Sequence, residues 1–335
     1  MASRADCVDD DDDDVIPDAL LDFLDEHVGG PVTLDRVYAD DENDSDSFEP
    51  VAWDVAATTS ASDSWVADAA NSLQHNGFVV LRPHAPLAAR DDADACASAW
   101  LSRLARLFEL AKVAGMQPKR DILRFSEMCS RTKGGLRYDM RLPHANGSVP
   151  PFDPMPGCWP QLTCAVEALV SPVLKALAGT TPKVDSIGCV TSLPGAPDQH
   201  FHPDGTAEGL YNAFCPLVPV LADNGPTELL PGSHEWVEST FGGLEPKRGE
   251  GKVPPVSPLI EHPAGAVLVF NYKCYHRGLG NRTMEPRPIA YVAFATRDVT
   301  DAHNFPSGLS LVEVANAAAA PAGLPSGSAS RAAEA

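Results

Sequence analysis

The chain has 335 residues, 44% of them hydrophobic, and a formal net charge of -21. That much apolar material supports one large domain or two small ones and excludes wholesale disorder. The acidity is local: residues 1–65 hold 20 acidic and two basic side chains, a net -18, which leaves only -3 for the rest. The body therefore lacks the clustered Lys and Arg of a nucleic-acid footprint.

Six consecutive aspartates, Asp9 to Asp14, repel one another and stay solvated, so residues 1–65 read as an acidic, mostly disordered N-terminal tail. Within it, Val15 to Leu24 has helical apolar spacing and suits docking on the body or on a protein partner. Ser64 to His75 reads as a helix, Asn76-Gly77 as a turn, Phe78 to Leu81 as a buried strand and Asp91 to Ala114 as a long amphipathic helix. Residues 115–158 read as an irregular loop with a basic run, including Arg124, Arg131, Arg137, Tyr138 and Arg141. Loops of that length tend to be lids, so Arg124, Arg137 and Tyr138 are candidate substrate contacts, against pairing with the tail or with water.

Trp159 to Ala178 reads as a third helix, after which the period changes to strands: Val184 to Leu193, Gly209 to Val220, Ala266 to Phe270 and Pro288 to Ala295. Residues 241–258 read as a Gly/Pro-rich loop. Short strands separated by Gly/Pro turns predict an α+β domain, a double-stranded β-helix (jelly-roll or cupin-type barrel) with helices packed on one sheet. The expected division is 1–65 tail, 66–312 domain (helical and lid part 66–180, barrel core 181–300) and 313–335 disordered Ala/Pro/Ser-rich tail. The eight cysteines form no Cys-x-x-Cys pair and read as buried thiols. No apolar run of about 18 residues and no signal, transit or C-terminal peroxisomal sequence is seen, so the expected compartment is the cytoplasm, with no membrane partner.

The chemistry concentrates in Gln199-His200-Phe201-His202-Pro203-Asp204. On a strand entering a turn, positions i and i+2 share a face, so His202 and Asp204 can reach one metal ion. His276 follows the apolar run Ala266 to Phe270 and completes two histidines and one carboxylate, the facial triad of non-haem Fe(II) oxygenases. Arg287, eleven residues on, heads another apolar strand and suits a carboxylate. His200 and His234 are rival ligands, and Arg282 and Arg297 rival Arg287.

The order Gln-x-x-His-x-Asp (Gln199, His202, Asp204), then Gly225-Pro226-Thr227-Glu228-Leu229-Leu230-Pro231-Gly232-Ser233-His234, then His276-Arg277-Gly278-Leu279-Gly280-Asn281 and Arg287, resembles the phytanoyl-CoA dioxygenase family of Fe(II)/2-oxoglutarate enzymes. The resemblance implies Fe(II) on His202, Asp204 and His276, with 2-oxoglutarate as cosubstrate held by Arg287. O2 is the oxidant and ascorbate the reductant in vitro. It places Gln199 and Asn281 beside the cosubstrate. Two residues after the distal histidine, where relatives often carry a hydroxyl, this chain has Gly278, so Tyr211, Asn212 or Thr283 is a stand-in donor. Asp204 favours hydroxylation over halogenation, since halogenating relatives replace that carboxylate. The implied activity is oxidation of a C–H bond of a small molecule with release of succinate and CO2. A cupin-like protein that binds or senses without turnover, and a zinc hydrolase on the same ligands, are the alternatives.

Overall fold

A computed structural model describes residues 50–58, 64–132, 134–143, 158–238, 244–245, 253–302 and 304–319. The aspartate run, the 15–24 helix, most of 241–258 and the chain beyond 319 lie outside these described residues. The elements run β1 (Asp54–Ala57), α1 (Ser64–Asn76), β2 (Phe78–Pro83), α2 (Arg90–Val113), β3 (Met128–Ser130), β4 (Arg137–Pro143) and α3 (Cys158–Ala178). They continue with β5 (Lys183–Ser192), β6 (Leu210–Pro216), β7 (Thr227–Leu229), β8 (Val237–Glu238) and β9 (Leu244–Glu245). The chain ends in β10 (Val267–Asn271), β11 (His276–Gly278), β12 (Arg287–Ala295) and α4 (Leu311–Ala319).

Eight strands form one sheet in the order β1-β2-β10-β6-β12-β5-β4-β3, with only β1 and β2 parallel. Facing it, β11 pairs with β7, and single bridges add His202 beside His276 and Val256 beside Leu229. The result is a four-segment second sheet, so the fold is the expected jelly roll.

Strand alternation explains the layering. On β10, Val267 and Val269 point one way, into a cluster with Ala69 and Leu73 of α1, Trp100, Leu104 and Leu107 of α2, and Val166, Val170 and Val173 of α3. Leu268 and Phe270 point the other way, into the barrel, against Phe78, Val80, Leu229, Ile260 and Ile289. Both faces are thus buried and the strands read as continuous apolar runs. Each fully buried Leu or Phe contributes roughly 1.5–3 kcal/mol. In α3, Pro160–Ala178 is long and apolar enough by length and composition to cross a membrane. Its Leu162, Val166, Val170, Val173 and Leu174 are buried in the cluster against the sheet.

Three expectations need correction. The acidic tail does not reach residue 65: Asp54–Ala57 is a sheet strand, with Val55 and Ala57 buried beside β2. The 115–158 stretch is not loop throughout, because β3 and β4 extend the main sheet. In β4, Arg137, Asp139 and Arg141 alternate with Tyr138, Met140 and Leu142, which join the helix-side cluster. The charged side faces the barrel interior instead of water, so the stretch resembles a surface segment in sequence. Finally, the C-terminal region begins with helix α4, whose Leu311 and Ala315 are buried. Glu127 anchors it by accepting hydrogen bonds from Ser310 Oγ (2.5 Å) and Leu311 N (3.0 Å).

Candidate active site

His202, Asp204 and His276 meet at the barrel mouth with their ligand atoms within 4.8 Å of one another. The two histidines are backbone partners across the second sheet: each N–H donates to the other's carbonyl at 3.0 Å. Their rings lie 4.8 Å apart, and His276 packs on Phe270 at 4.7 Å. His202 Nδ1 sits 2.7 Å from the His200 carbonyl and His276 Nδ1 sits 3.0 Å from the Cys274 carbonyl. A carbonyl can only accept, so each Nδ1 carries the hydrogen and each Nε2 keeps its lone pair for a metal. Burial, reinforced by His276, pulls the His202 pKa down to about 3, which keeps that imidazole neutral. Asp204 Oδ2 accepts from Asn212 Nδ2 at 2.5 Å, leaving Oδ1 at 3.7 Å from His276 Nε2. Burial raises the Asp204 pKa, against the pull of His276 and Arg131. A cation on these three donors would offset that cost, so the donor set fits a divalent metal.

The rivals stand elsewhere. His200 is exposed and contributes its carbonyl. His234 is buried under Gly77, with Nε2 against the Gln74 carbonyl. Arg282 is exposed, and Arg297 pairs with Glu208 at the surface.

The cavity beside the triad has an empty volume of about 670 Å³, open solvent at its mouth included. Arg287 and Arg137 line its inner end, buried to 2% and 1% exposure. Among the described residues neither has a carboxylate within ion-pair distance. Arg287 Nε donates to the Asn224 carbonyl. Arg137 donates to Gln199 Oε1 (2.7 Å) and to the carbonyls of Leu279 (2.7 Å) and Pro197 (3.2 Å). Burial lowers the Arg287 pKa to about 9, with Arg137 adding to it, and burial lowers that of Arg137 to about 10. Two buried cations with no ion-paired carboxylate among the described residues suit an added anion, with Asp198 acting on Arg137 only from farther off. Between them in register sits Ser192, partner of Arg137 across β4 and of Arg287 across β12. Among the described residues its buried hydroxyl has no hydrogen-bond partner, nor does Arg137 Nε.

Gly278 is the space that Arg137 needs. A Cβ at 278 would stand 1.4 Å from Arg137 Nη1 and 2.8 Å from Gln199 Oε1. The missing hydroxyl at 278 thus accompanies a guanidinium in its place, and Thr227, the register partner of Gly278 on β7, also lines the cavity.

Other candidates fall differently. Gln199 lines the cavity and holds Arg137. Asn281 does not line it. Its amide bonds the carbonyls of Ser192 and Glu285, and its oxygen takes Thr283, which shapes the loop before Arg287. Tyr211 and Tyr138 face the helix layer, and Tyr138 packs on Phe108; strand parity puts Asn212 and Arg137 in the cavity instead. Arg124 is half-buried outside the cavity lining. Arg131 is in the lining but bound to Asp139 at 2.7 Å, and Arg141 reaches Asp185 at 3.8 Å. Asp139, Tyr291, Tyr272, Asp301 and Asn304 line the cavity as well. Only their place on an inward strand face, or in a segment folded back on the mouth, reveals them.

The sequence profile of the phytanoyl-CoA dioxygenase (PhyH) family matches residues 169–289. The PhyH match runs from α3 through both histidines and Asp204 to the start of β12. Multifunctional dioxygenase ausE of Emericella nidulans is 32% identical over 127 residues, 34% of this chain and 42% of that protein. Dioxygenase aneA of Aspergillus aculeatus is 36% identical over 87 residues, 25% of this chain and 27% of that protein. The match therefore spans less than half the length of these curated relatives. Among solved structures, the non-haem alpha-ketoglutarate-dependent epimerase SnoN from nogalamycin biosynthesis aligns with TM-score 0.47 at 16% identity, over 69% of this chain and 83% of that one. AviO1 from Streptomyces viridochromogenes aligns with TM-score 0.45 at 17% identity, over 70% and 96%.

Proposed function

We propose that this PhyH-like chain is an Fe(II)- and 2-oxoglutarate-dependent dioxygenase that oxidises a C–H bond of a small molecule. The carrying observation is one cavity holding two histidines and a carboxylate beside two buried arginines that lack a carboxylate partner. His202, Asp204 and His276 would hold the iron, and Arg287, Arg137 and Ser192 the distal carboxylate of 2-oxoglutarate. With O2, the loaded centre supplies oxidative decarboxylation to succinate and CO2 coupled to substrate oxidation. The residues of this chain do the rest. Carbonyls of His200 and Cys274 fix the imidazole tautomers, Asn212 turns one carboxylate oxygen inward, and Gln199 holds Arg137 in place. Val190, Phe214 and Ala293 supply apolar wall that limits water.

A zinc hydrolase has no use for the buried arginine pair. A binding module without turnover predicts anion binding and no succinate. The test measures succinate from 2-oxoglutarate with Fe(II) and ascorbate in air, and 2-oxoglutarate binding to the Mn(II)-loaded protein by calorimetry. Wild type should do both, His202→Ala should form no succinate, and Arg287→Ala should bind 2-oxoglutarate far more weakly. If 2-oxoglutarate binds wild type and Arg287→Ala with equal affinity, or not at all, the proposal fails.

A further inference from the structure

We propose that Asn304 is a positioning residue for Asp204, and that the segment after the last barrel strand is a working part of the site. This rests on reading the triad as a metal site. Asp204 lies in a bend outside the sheet ladder, so its peptide needs other anchors. Its N–H donates to the Tyr272 carbonyl at 2.9 Å. Its carbonyl accepts from Asn304 Nδ2 at 3.1 Å, and the same amide reaches the Tyr272 hydroxyl at 2.5 Å. Asn304 Oδ1 in turn accepts from Arg131 Nη1 at 2.9 Å, and Arg131 is fixed by Asp139. An amide side chain offers both an acceptor for the guanidinium and donors for the carbonyl and phenol, so Asn304 meets all three demands at once.

The segment is built to hold that amide still. Thr300 Oγ1 donates to Asp185, Arg141 donates to the Asp301 carbonyl, and Phe305 lies under the guanidinium groups of Arg131 and Arg141 at 5.3 and 5.5 Å. Asp301 and Asn304 share the cavity wall with the triad. Asn212 fixes the Asp204 carboxylate from the main sheet while Asn304 fixes its backbone from the returning chain, so the aim of Oδ1 depends on both.

The test uses the full chain and Mn(II) or Co(II) as the probe. Asn304→Leu removes every side-chain bond, and Asn304→Ser is too short to span Arg131 and Asp204; the serine variant is read if the leucine variant does not fold. Each should weaken Mn(II) binding roughly 10-fold or more, as loss of a group that orients a ligand does. Each should also change the Co(II) absorption band while leaving the metal-free melting temperature near wild type. Thr300→Val, which loosens the same segment but keeps the amide, should weaken Mn(II) binding less than either Asn304 variant. Wild-type affinity in the folded Asn304 variants, or an equal loss in Thr300→Val, overturns the assignment. Equal Mn(II) binding by wild type and His202→Ala would instead remove the metal reading itself, a separate failure.

Discussion

Replacing Gly278 by alanine should disable the anion end of the cavity without touching a residue that contacts the anion. The added Cβ would lie 1.4 Å from Arg137 Nη1 and 2.6 Å from Cζ. Carbon contacts are comfortable near 3.5 Å or more, so the guanidinium must recede by about 2 Å. It then leaves Gln199 Oε1 at 2.7 Å and the carbonyls of Leu279 and Pro197 at 2.7 and 3.2 Å. Hydrogen bonds from a charged donor contribute about 1.5–3 kcal/mol each, so losing all three costs the native state about 4.5–9 kcal/mol unless new partners form. Removing one of two buried cations facing a carboxylate costs about 2–4 kcal/mol of binding, or roughly 30- to 1,000-fold in Kd for 2-oxoglutarate. Calorimetry on the Mn(II)-loaded protein reads the Kd, and urea unfolding reads the stability. The decisive comparison is a double-mutant cycle. Arg137→Ala alone should match Gly278→Ala in binding, and adding Gly278→Ala to Arg137→Ala should change nothing more, because the obstructed group is gone. Additive losses, or unchanged affinity in Gly278→Ala, would refute the account of why that position lacks a side chain.

Ser192→Ala should weaken 2-oxoglutarate binding about 5-fold or more, near the contribution of one hydrogen bond, while leaving Mn(II) affinity unchanged. In the metal-free protein, the depressed His202 pKa means the unfolded chain binds an extra proton between about pH 6.5 and 3. Stability contributed by the neutral ring is therefore complete above pH 6.5 and falls as pH drops, by about 2 kcal/mol at pH 5 relative to a His202→Gln variant in urea titrations. Gly188→Ala would place a Cβ 2.3 Å from the Tyr291 ring and hydroxyl, breaking the Tyr291–Asp139 bond; a loss of about 1–3 kcal/mol in urea unfolding is expected. Glu127→Ala removes the acceptor for Ser310 and Leu311 and should release α4, seen as lost amide-exchange protection over 311–319.

His202, Asp204 and His276 stand out in the sequence through a fixed local spacing and a strand-plus-histidine pattern, and the fold brings the three side chains together. Arg287 stands out in the same way and lines the same cavity. What escaped is the polar interior. An amphipathic strand normally turns its charges to water, and β4 turns Arg137 and Asp139 into the cavity and Arg141 onto Asp185, so a sheet strand looks like loop. Of the neighbours Tyr211 and Asn212, and Arg137 and Tyr138, which the sequence offers together, strand parity turns only Asn212 and Arg137 into the cavity. In a segment buried on both faces, apolar character alone does not say which side is inside. The returning chain at Asp301 and Asn304 carries no periodic signal, and only the bonds to Arg131, Tyr272 and Asp204 show its place.

His202 and His276 belong to the smaller sheet, while Asp204 is tied through Asn212 to β6 of the larger one. An ion shared by all three would therefore act as a rivet between the two halves of the barrel. The unfolded chain has only the local His202–Asp204 pair to offer it, so the ion favours the closed barrel by mass action. Chelation should loosen the mouth first, letting the small sheet breathe against the large one while the helix-covered face stays shut.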